Sequence, residues 1–151
     1  MPQSLANVLV HLVFSTKDRR ALLQNADLRN QMHRYLAGIS ANLDCPAVIV
    51  GGADDHIHLL GRQSRTVTLA DWVKELKRAS SLWAKTKGPQ WGLFHWQAGY
   101  GAFSVSQSQS GRVQRYIASQ EEHHRRLSFQ DELRQLLKKH GIEFDERYVW
   151  D

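Results

Sequence analysis

Residues 7–15 alternate: Val8, Val10, Leu12 and Phe14 share one face, while Leu9, His11 and Val13 share the other. Apolar side chains on both faces predict a central strand, buried on much of both sides. Thr16-Lys17-Asp18-Arg19-Arg20 is a polar, basic exit, read as a solvated loop or a phosphate contact. The period then changes. Leu28, Met32, Tyr35, Leu36, Ile39 and Leu43 recur at three-to-four spacing, which predicts a helix with Asn25 as its cap and Asp27 in its first turn. His33 falls off that stripe and is expected at the surface. Pro46 opens a strand over Ala47 to Val50, Gly51-Gly52-Ala53-Asp54-Asp55 is turn chemistry, and His56 to Gly61 returns as the second arm of a hairpin. Thr68 with Asp71 caps a second helix, whose apolar stripe is Leu69, Trp72, Val73, Leu76 and Trp83. Lys87-Gly88-Pro89 ends it. A fourth strand is expected over Trp96 to Ser106, with Gly99 and Gly101 marking a bulge or a close backbone approach. Residues 112–124 read as helical. Ser128 then caps a last helix, with Phe129, Leu133, Leu136 and Leu137 apolar and Gly141 as its stop. Ile142, Phe144 and Trp150 are expected to fold back onto it.

The order strand, helix, strand, strand, helix, strand, then helices predicts an α+β fold. It spells the ferredoxin-like split βαβ arrangement: an antiparallel sheet with two helices on one face and the C-terminal helices left to cover the other. No boundary or repeat divides residues 1–151, so one domain is expected. The uncharged, flexible stretch Ser106-Gln107-Ser108-Gln109-Ser110-Gly111 reads as a hinge before the helix that follows.

Composition changes this picture little. A chain of 151 residues is long enough for a real core. The apolar run Val8 to Phe14 is interrupted by His11, is too short to span a bilayer and lacks the form of a signal peptide, so no membrane partner is expected. One cysteine, Cys45, allows no internal disulfide and fits a reducing, cytoplasmic interior. Twenty Lys and Arg against 15 Asp and Glu give a net charge of +5, a mild pointer to nucleic acid. The charge is concentrated from 74 to 87, where Lys74, Lys77, Arg78, Lys85 and Lys87 face only Glu75. That run is either a solvated helix face or a phosphate-contacting one. Trp91 and Trp96 are candidates for base stacking or for core packing.

Two stretches carry chemistry. In Asp54-Asp55-His56-Ile57-His58-Leu59-Leu60, strand alternation projects His56 and His58 together, opposite apolar Ile57 and Leu59. Two adjacent imidazoles can hold a divalent metal at the edge of a core; alone, such a pair is more often a polar strand face. In a helix over 112–124, Tyr116 and Gln120 are one turn apart and share a face. Alone, Tyr116 would be read as core beside Ile117, and Gln120 as surface. His123 and His124 are extra ligands, DNA contacts or surface residues, and His124, on the Gln120 face, is the nearer competitor for a metal.

Taken in order, several stretches resemble the single-tyrosine transposases of the smallest bacterial insertion sequences. These are members of the His-hydrophobic-His (HUH) endonuclease superfamily and relatives of REP-associated tyrosine transposases. His11-Leu12-Val13-Phe14-Ser15-Thr16-Lys17 resembles the family's opening strand. His56-Ile57-His58 is similar to its eponymous motif, and Trp96 to Ser106 to its fourth strand. Tyr116-Ile117-x-x-Gln120-x-x-His123-His124 resembles the nucleophile helix, with Ser119 where Asn is common. The resemblance implies a metal-dependent enzyme that nicks and rejoins single-stranded DNA through a 5′-phosphotyrosine. It implies Tyr116 as nucleophile, His56, His58 and Gln120 as ligands of Mg²⁺ or Mn²⁺, DNA hairpins at element ends as substrates, and a homodimer whose sites are completed in trans. The alternatives are a non-catalytic single-stranded nucleic-acid-binding domain derived from such a transposase, and a metal-dependent phosphodiesterase with water as nucleophile.

Overall fold

The alternating run near the start forms strand β1 (Leu9–Ser15), all of whose residues are buried. The computed structural model describes residues 3–150. After β1 come α1 (Ala26–Asn42), β2 (Ala47–Gly52), β3 (His56–Arg62), α2 (Leu69–Lys85), β4 (Gly101–Val105), α3 (Ser110–Ala118), α4 (Gln120–His123) and α5 (Phe129–Lys139). The sheet order is β2-β3-β1-β4, with every neighbour antiparallel, which is the ferredoxin-like arrangement.

Register makes the two faces of the sheet different. Val10, Leu12, Phe14, Ile57 and Leu59 point to one face and pack with Met32, Leu36 and Ile39 of α1 and Trp72, Val73 and Leu76 of α2. The indole N–H groups in that layer are satisfied: Trp72 donates to Ser40 Oγ and Trp96 to Ser80 Oγ, each at 2.9 Å. On the opposite face Leu9, Leu60 and Ile117 form one apolar cluster under α3, and Val13, Phe103, Phe129 and Leu137 form another under α5. Between these clusters the same face carries His11, His58 and His56, because His58 pairs with Val13 and His56 with Ser15.

The expected caps are present. Asn25 Oδ1, Thr68 Oγ1 and Ser128 Oγ each accept from the backbone N–H three residues on. The last helix ends as a Schellman motif: Gly141 adopts φ 68°, its N–H donates to Lys138 O, and Ile142 N–H donates to Leu137 O.

The structure corrects some expectations and adds detail to others. The fourth strand is shorter than Trp96 to Ser106. Trp96 makes only an isolated bridge to Thr16, and the chain turns at Gly99 (φ 83°) before β4 begins. Both tryptophans are packing residues: Trp96 is buried, and Trp91, partly buried, donates to Leu22 O. His33 is half-buried, and its Nε2 finds no hydrogen-bond partner. The Ser106–Gly111 stretch is folded as a 3₁₀ turn (Gln107–Gln109) running straight into α3, with Ser110 buried. Residues 112–124 are not one helix, for Ser119 (φ −98°, ψ 15°) separates α3 from α4. Among the described residues, no helix is long and apolar enough to cross a membrane.

Candidate active site

The polar strip on β1 and β3 becomes a site because α3, α4 and α5 close over it. Ile117 anchors α3 against Leu9 and Leu60. The anchor needs a bare strand: a Cβ on Gly51 would sit 2.6 Å from Ile117 O and 2.8 Å from its Cγ2. Arg29 of α1 holds α4, donating through Nη2 to Glu121 Oε1 at 2.7 Å and through Nη1 to Leu23 O at 2.8 Å. Phe129 at the start of α5 stacks on the His56 ring, with centroids 4.6 Å apart.

Four side chains from three segments meet in the gap: His56 and His58 at 0% exposure, Gln120 at 1% and Glu132 of α5 at 1%. Glu132 is the hub. Its Oε1 accepts from His58 Nε2 at 2.9 Å and His124 Nε2 at 3.0 Å. Its Oε2 accepts from Gln120 Nε2 at 2.9 Å and from the Tyr116 hydroxyl. Tyr116 lies edge-on to His58, ring centroids 5.7 Å apart, within the same chain. The HUH pair, Tyr116 and Gln120 are thus brought together as the sequence led us to expect, across the Ser119 break. His124 joins them, whereas His123 lies at the margin, 3.7 Å from Glu132. Glu132 and His11 were not anticipated.

The tautomers follow from the outer partners. Asp55 Oδ1 accepts from His56 Nδ1 at 2.7 Å, and Asp55 is itself fixed by Thr16, whose N–H and hydroxyl donate to its backbone O. His56 Nε2 therefore presents a lone pair. It faces Gln120 Oε1 at 3.0 Å and Glu132 Oε1 at 3.4 Å. Three acceptors pointed at one another repel unless a cation, proton or metal, lies among them. His58 Nε2–H donates to Glu132, so its Nδ1 accepts from His11 Nε2 at 2.7 Å.

Electrostatics agree with a cation site. Burial would raise the Glu132 carboxyl, but hydrogen bonds from His124 and His58 outweigh it and hold the group well below the usual carboxylate range. Burial lowers His58 to about 4 against the pull of Glu132, so it is a neutral imidazole near pH 7. His124 is depressed by burial, but Glu132, the Leu127 backbone and Asp55 together raise it by more, for a net upward shift. Burial, then the negative charge of Glu132, push the Tyr116 phenol well above its ordinary value.

The donor set fits a divalent ion. His56, His58, His124 and Glu132 each offer an atom within 4.8 Å of the others. Bonds of about 2.1 Å in an octahedron place adjacent ligand atoms about 3.0 Å apart. Gln120 Oε1 lies 3.0 Å from His56 Nε2, and Glu132 Oε1 lies 2.9 Å from His58 Nε2. Beside Tyr116 an open cavity of about 470 Å³ is lined by His11, Arg112, Lys139 and His140, a basic approach to the hydroxyl.

The basic run of α2 is elsewhere. Lys74, Lys77, Arg78 and Lys85 sit in the helical layer on the far face of the sheet. They also differ among themselves. Lys77 is turned inward, donating to Gln97 O at 2.8 Å and to Gly99 O, and burial lowers it to about 8. Arg78 pairs with Glu75, while Lys74 and Lys85 are exposed. Lys77, Arg78 and Lys85 share one open groove with His95.

Residues 4–120 match the family described as IS200-like transposases. This chain belongs to the IS200-like transposase family. The transposase is 28% identical over 115 residues to the ISDra2 transposase TnpA of Deinococcus radiodurans, spanning 73% of this chain and 81% of that protein. It also resembles a candidate transposase from D. radiodurans R1 seen in a 1.90 Å crystal structure. That likeness has a TM-score of 0.58 at 27% identity and covers 78% of this chain and 94% of the other. A REP-associated tyrosine transposase bound to a REP hairpin shares the fold, with TM-score 0.59 at 13% identity over 81% of this chain and 71% of that one. As a transposase, the chain is a DNA strand-transfer enzyme in the general sense. The family match ends at Gln120, so α5 and Glu132 lie beyond it.

Proposed function

We propose that this transposase nicks and rejoins single-stranded DNA through a 5′-phosphotyrosine on Tyr116, using Mg²⁺ or Mn²⁺ held by His56, His58 and Gln120. One observation carries the reading: the Tyr116 hydroxyl, the His58 imidazole and the Gln120 amide all hydrogen-bond one buried carboxylate, and His56 Nε2 faces the same point, 3.0 Å from Gln120 Oε1. A divalent ion there would neutralise a nonbridging phosphate oxygen and stabilise the departing 3′ oxygen. Tyr116 attacks the phosphorus, the P–O3′ bond breaks, and the departing 3′ oxygen takes a proton from solvent to leave as a free hydroxyl. The phenol's pKa is raised, so its proton must pass to solvent as the bond forms, while Glu132 Oε2 orients the hydroxyl by accepting its hydrogen bond. Because the ester keeps the energy of the phosphodiester, a second 3′ hydroxyl reseals it without ATP.

The substrates in this reading are DNA hairpins at element ends; the hairpin named for the REP-associated neighbour supports that assignment. Strand passage would follow the basic cavity of Arg112 and Lys139, with Lys74, Arg78 and Lys85 holding flanking DNA on the other layer. The working form is a cytoplasmic homodimer with sites completed in trans. In one chain α3 meets its own β2 and β3. A partner's α3, exchanged about Ser106–Gly111, would present Ile117 to the same Leu9 and Leu60.

The test is nicking of labelled single-stranded hairpin DNA from the flanks of the gene. Cleavage is expected with Mn²⁺, lost with chelator and absent for the same sequence as duplex. Tight binding without cleavage under every metal condition would instead support a binding module.

A further inference from the structure

The metal site anticipated from the sequence has neutral donors only, two imidazoles and an amide oxygen. The structure places a carboxylate among them. Glu132 Oε1 lies 2.9 Å from His58 Nε2, 3.4 Å from His56 Nε2 and 3.0 Å from His124 Nε2. These separations are those of neighbouring ligands around one small divalent ion, about 3.0 Å for bonds of about 2.1 Å. Glu132 is 1% exposed and lies beyond the family-matched residues. A buried carboxylate without a countercharge is costly, and four polar donors have been gathered to compensate it.

We propose that Glu132 is a fourth protein ligand of the metal, supplied by the C-terminal helix. This rests on the metal-dependent reading above. With Oε1 on the ion, Oε2 stays with Gln120 Nε2 and the Tyr116 hydroxyl, so one side chain ties the nucleophile to the ion's position. His58 keeps a fixed ring when it exchanges its Nε2 proton for the metal: Nδ1 becomes the donor and His11 Nε2 the acceptor of the same 2.7 Å bond. The carboxylate leaves the bound ion a net charge of +1 and adds an oxygen donor, a set suited to Mn²⁺.

The experiment is calorimetric titration of Mn²⁺ into chelator-stripped full-length protein, for wild type, Glu132→Gln and a His56→Ala, His58→Ala double variant. Circular dichroism and melting in chelator verify the fold of each. Wild type is expected to bind one ion, and Glu132→Gln to bind at least about tenfold more weakly, the smallest loss usual when even an outer partner of a metal is removed. Equal or tighter binding by folded Glu132→Gln overturns the proposal and makes Glu132 a competitor for the site. Should the double variant bind like wild type, the metal-dependent reading itself fails, a separate outcome. If Glu132→Gln does not fold, wild-type protein labelled with ¹³C at the glutamate carboxyl decides. A single glutamate carboxyl resonance shifting with Mg²⁺ to saturation at one ion supports the assignment, and no shift overturns it.

Discussion

Gly51→Ala tests how α3, and with it Tyr116, is held. Gly51 is opposite His58 in the β2–β3 ladder, and the new methyl carbon would lie 2.6 Å from Ile117 O and 2.8 Å from Ile117 Cγ2. Ordinary contact begins at 3.4 Å, so the α3 backbone must retreat by roughly 0.8 Å (3.4 less 2.6) to restore van der Waals distance. Overpacking of this kind costs about 1–3 kcal/mol. That rivals the roughly 1.5–3 kcal/mol gained by burying one isoleucine such as Ile117, so the helix shifts or lifts rather than compresses. At about 2–4 °C per kcal/mol for a chain of this size, the melting temperature should fall by about 2–12 °C. A displacement near 1 Å at the residue following Tyr116 should lower nicking roughly a hundredfold. Hydrogen exchange across α3 should accelerate while β1 and β3 stay protected. Gly38→Ala is the control, since nothing lies within 4 Å of its added carbon on exposed α1, and it should stabilise by about 0.5–1 kcal/mol. Unchanged melting, exchange and nicking in Gly51→Ala would refute the docking of α3 described above.

Three further outcomes are expected. In single-stranded DNA binding, alanine at Lys74 and at Lys85 should each reduce the salt slope by about 0.7. Lys77→Ala should instead lower melting, because its ammonium is spent on Gln97 O and Gly99 O; unchanged slopes for the first two would return that face to solvent. Burial, then the nearby charge of Arg29, hold His33 at about 4 against an ordinary 6.5. Its lowered value means the unfolded chain takes up the proton first, so its share of stability is complete above about pH 6.5 and declines as pH falls towards 4. About 2 kcal/mol should be lost between pH 7 and 5 by urea unfolding, and His33→Gln should show that much less pH dependence; an identical profile would contradict the burial of this ring. Finally, a mixed dimer of a His56→Ala, His58→Ala subunit and a Tyr116→Phe subunit, purified through two tags, should keep one working site. A mixed dimer that binds DNA but forms no adduct would place α3 on its own sheet in the working enzyme.

Much of this was legible because local rules and burial agreed. The run from Leu9 to Ser15 is apolar on both faces, and β1 is central; Asn25, Thr68 and Ser128 cap where their side chains can accept. The His56–His58 pair could be placed from strand alternation alone, and Tyr116 and Gln120 from helical spacing, although the Ser119 break was invisible to spacing. Glu132 was missed for a physical reason. It falls among Phe129, Leu133, Leu136 and Leu137 in the apolar stripe of α5. A charge in such a stripe is either misassigned to the surface or buried with partners, and its partners come from β3, α3 and α4, distant in sequence. His11 carried the same signal, one imidazole in an otherwise apolar strand. His33 was assigned to solvent from α1 periodicity, which cannot anticipate Arg29 drawing α4 against that helix through Glu121. The basic run of α2 shows the converse limit: sequence places its charges on one helix, but which ones are free depends on the Gln97–Gly99 turn that captures Lys77.

The central claim is that Tyr116 becomes covalently joined to DNA. Wild-type protein incubated with Mn²⁺ and single-stranded DNA from the flanks of its gene is digested with nuclease and trypsin and mapped by mass spectrometry. The account predicts a 5′-phosphonucleotide on the peptide that begins at Tyr116 and ends at Arg125, together with a DNA fragment carrying a free 3′ hydroxyl. The same peptide should be absent from Tyr116→Phe and from the His56→Ala, His58→Ala variant. Cleaved DNA with no nucleotide on that peptide, or undiminished cleavage by Tyr116→Phe, would contradict it and make water the nucleophile.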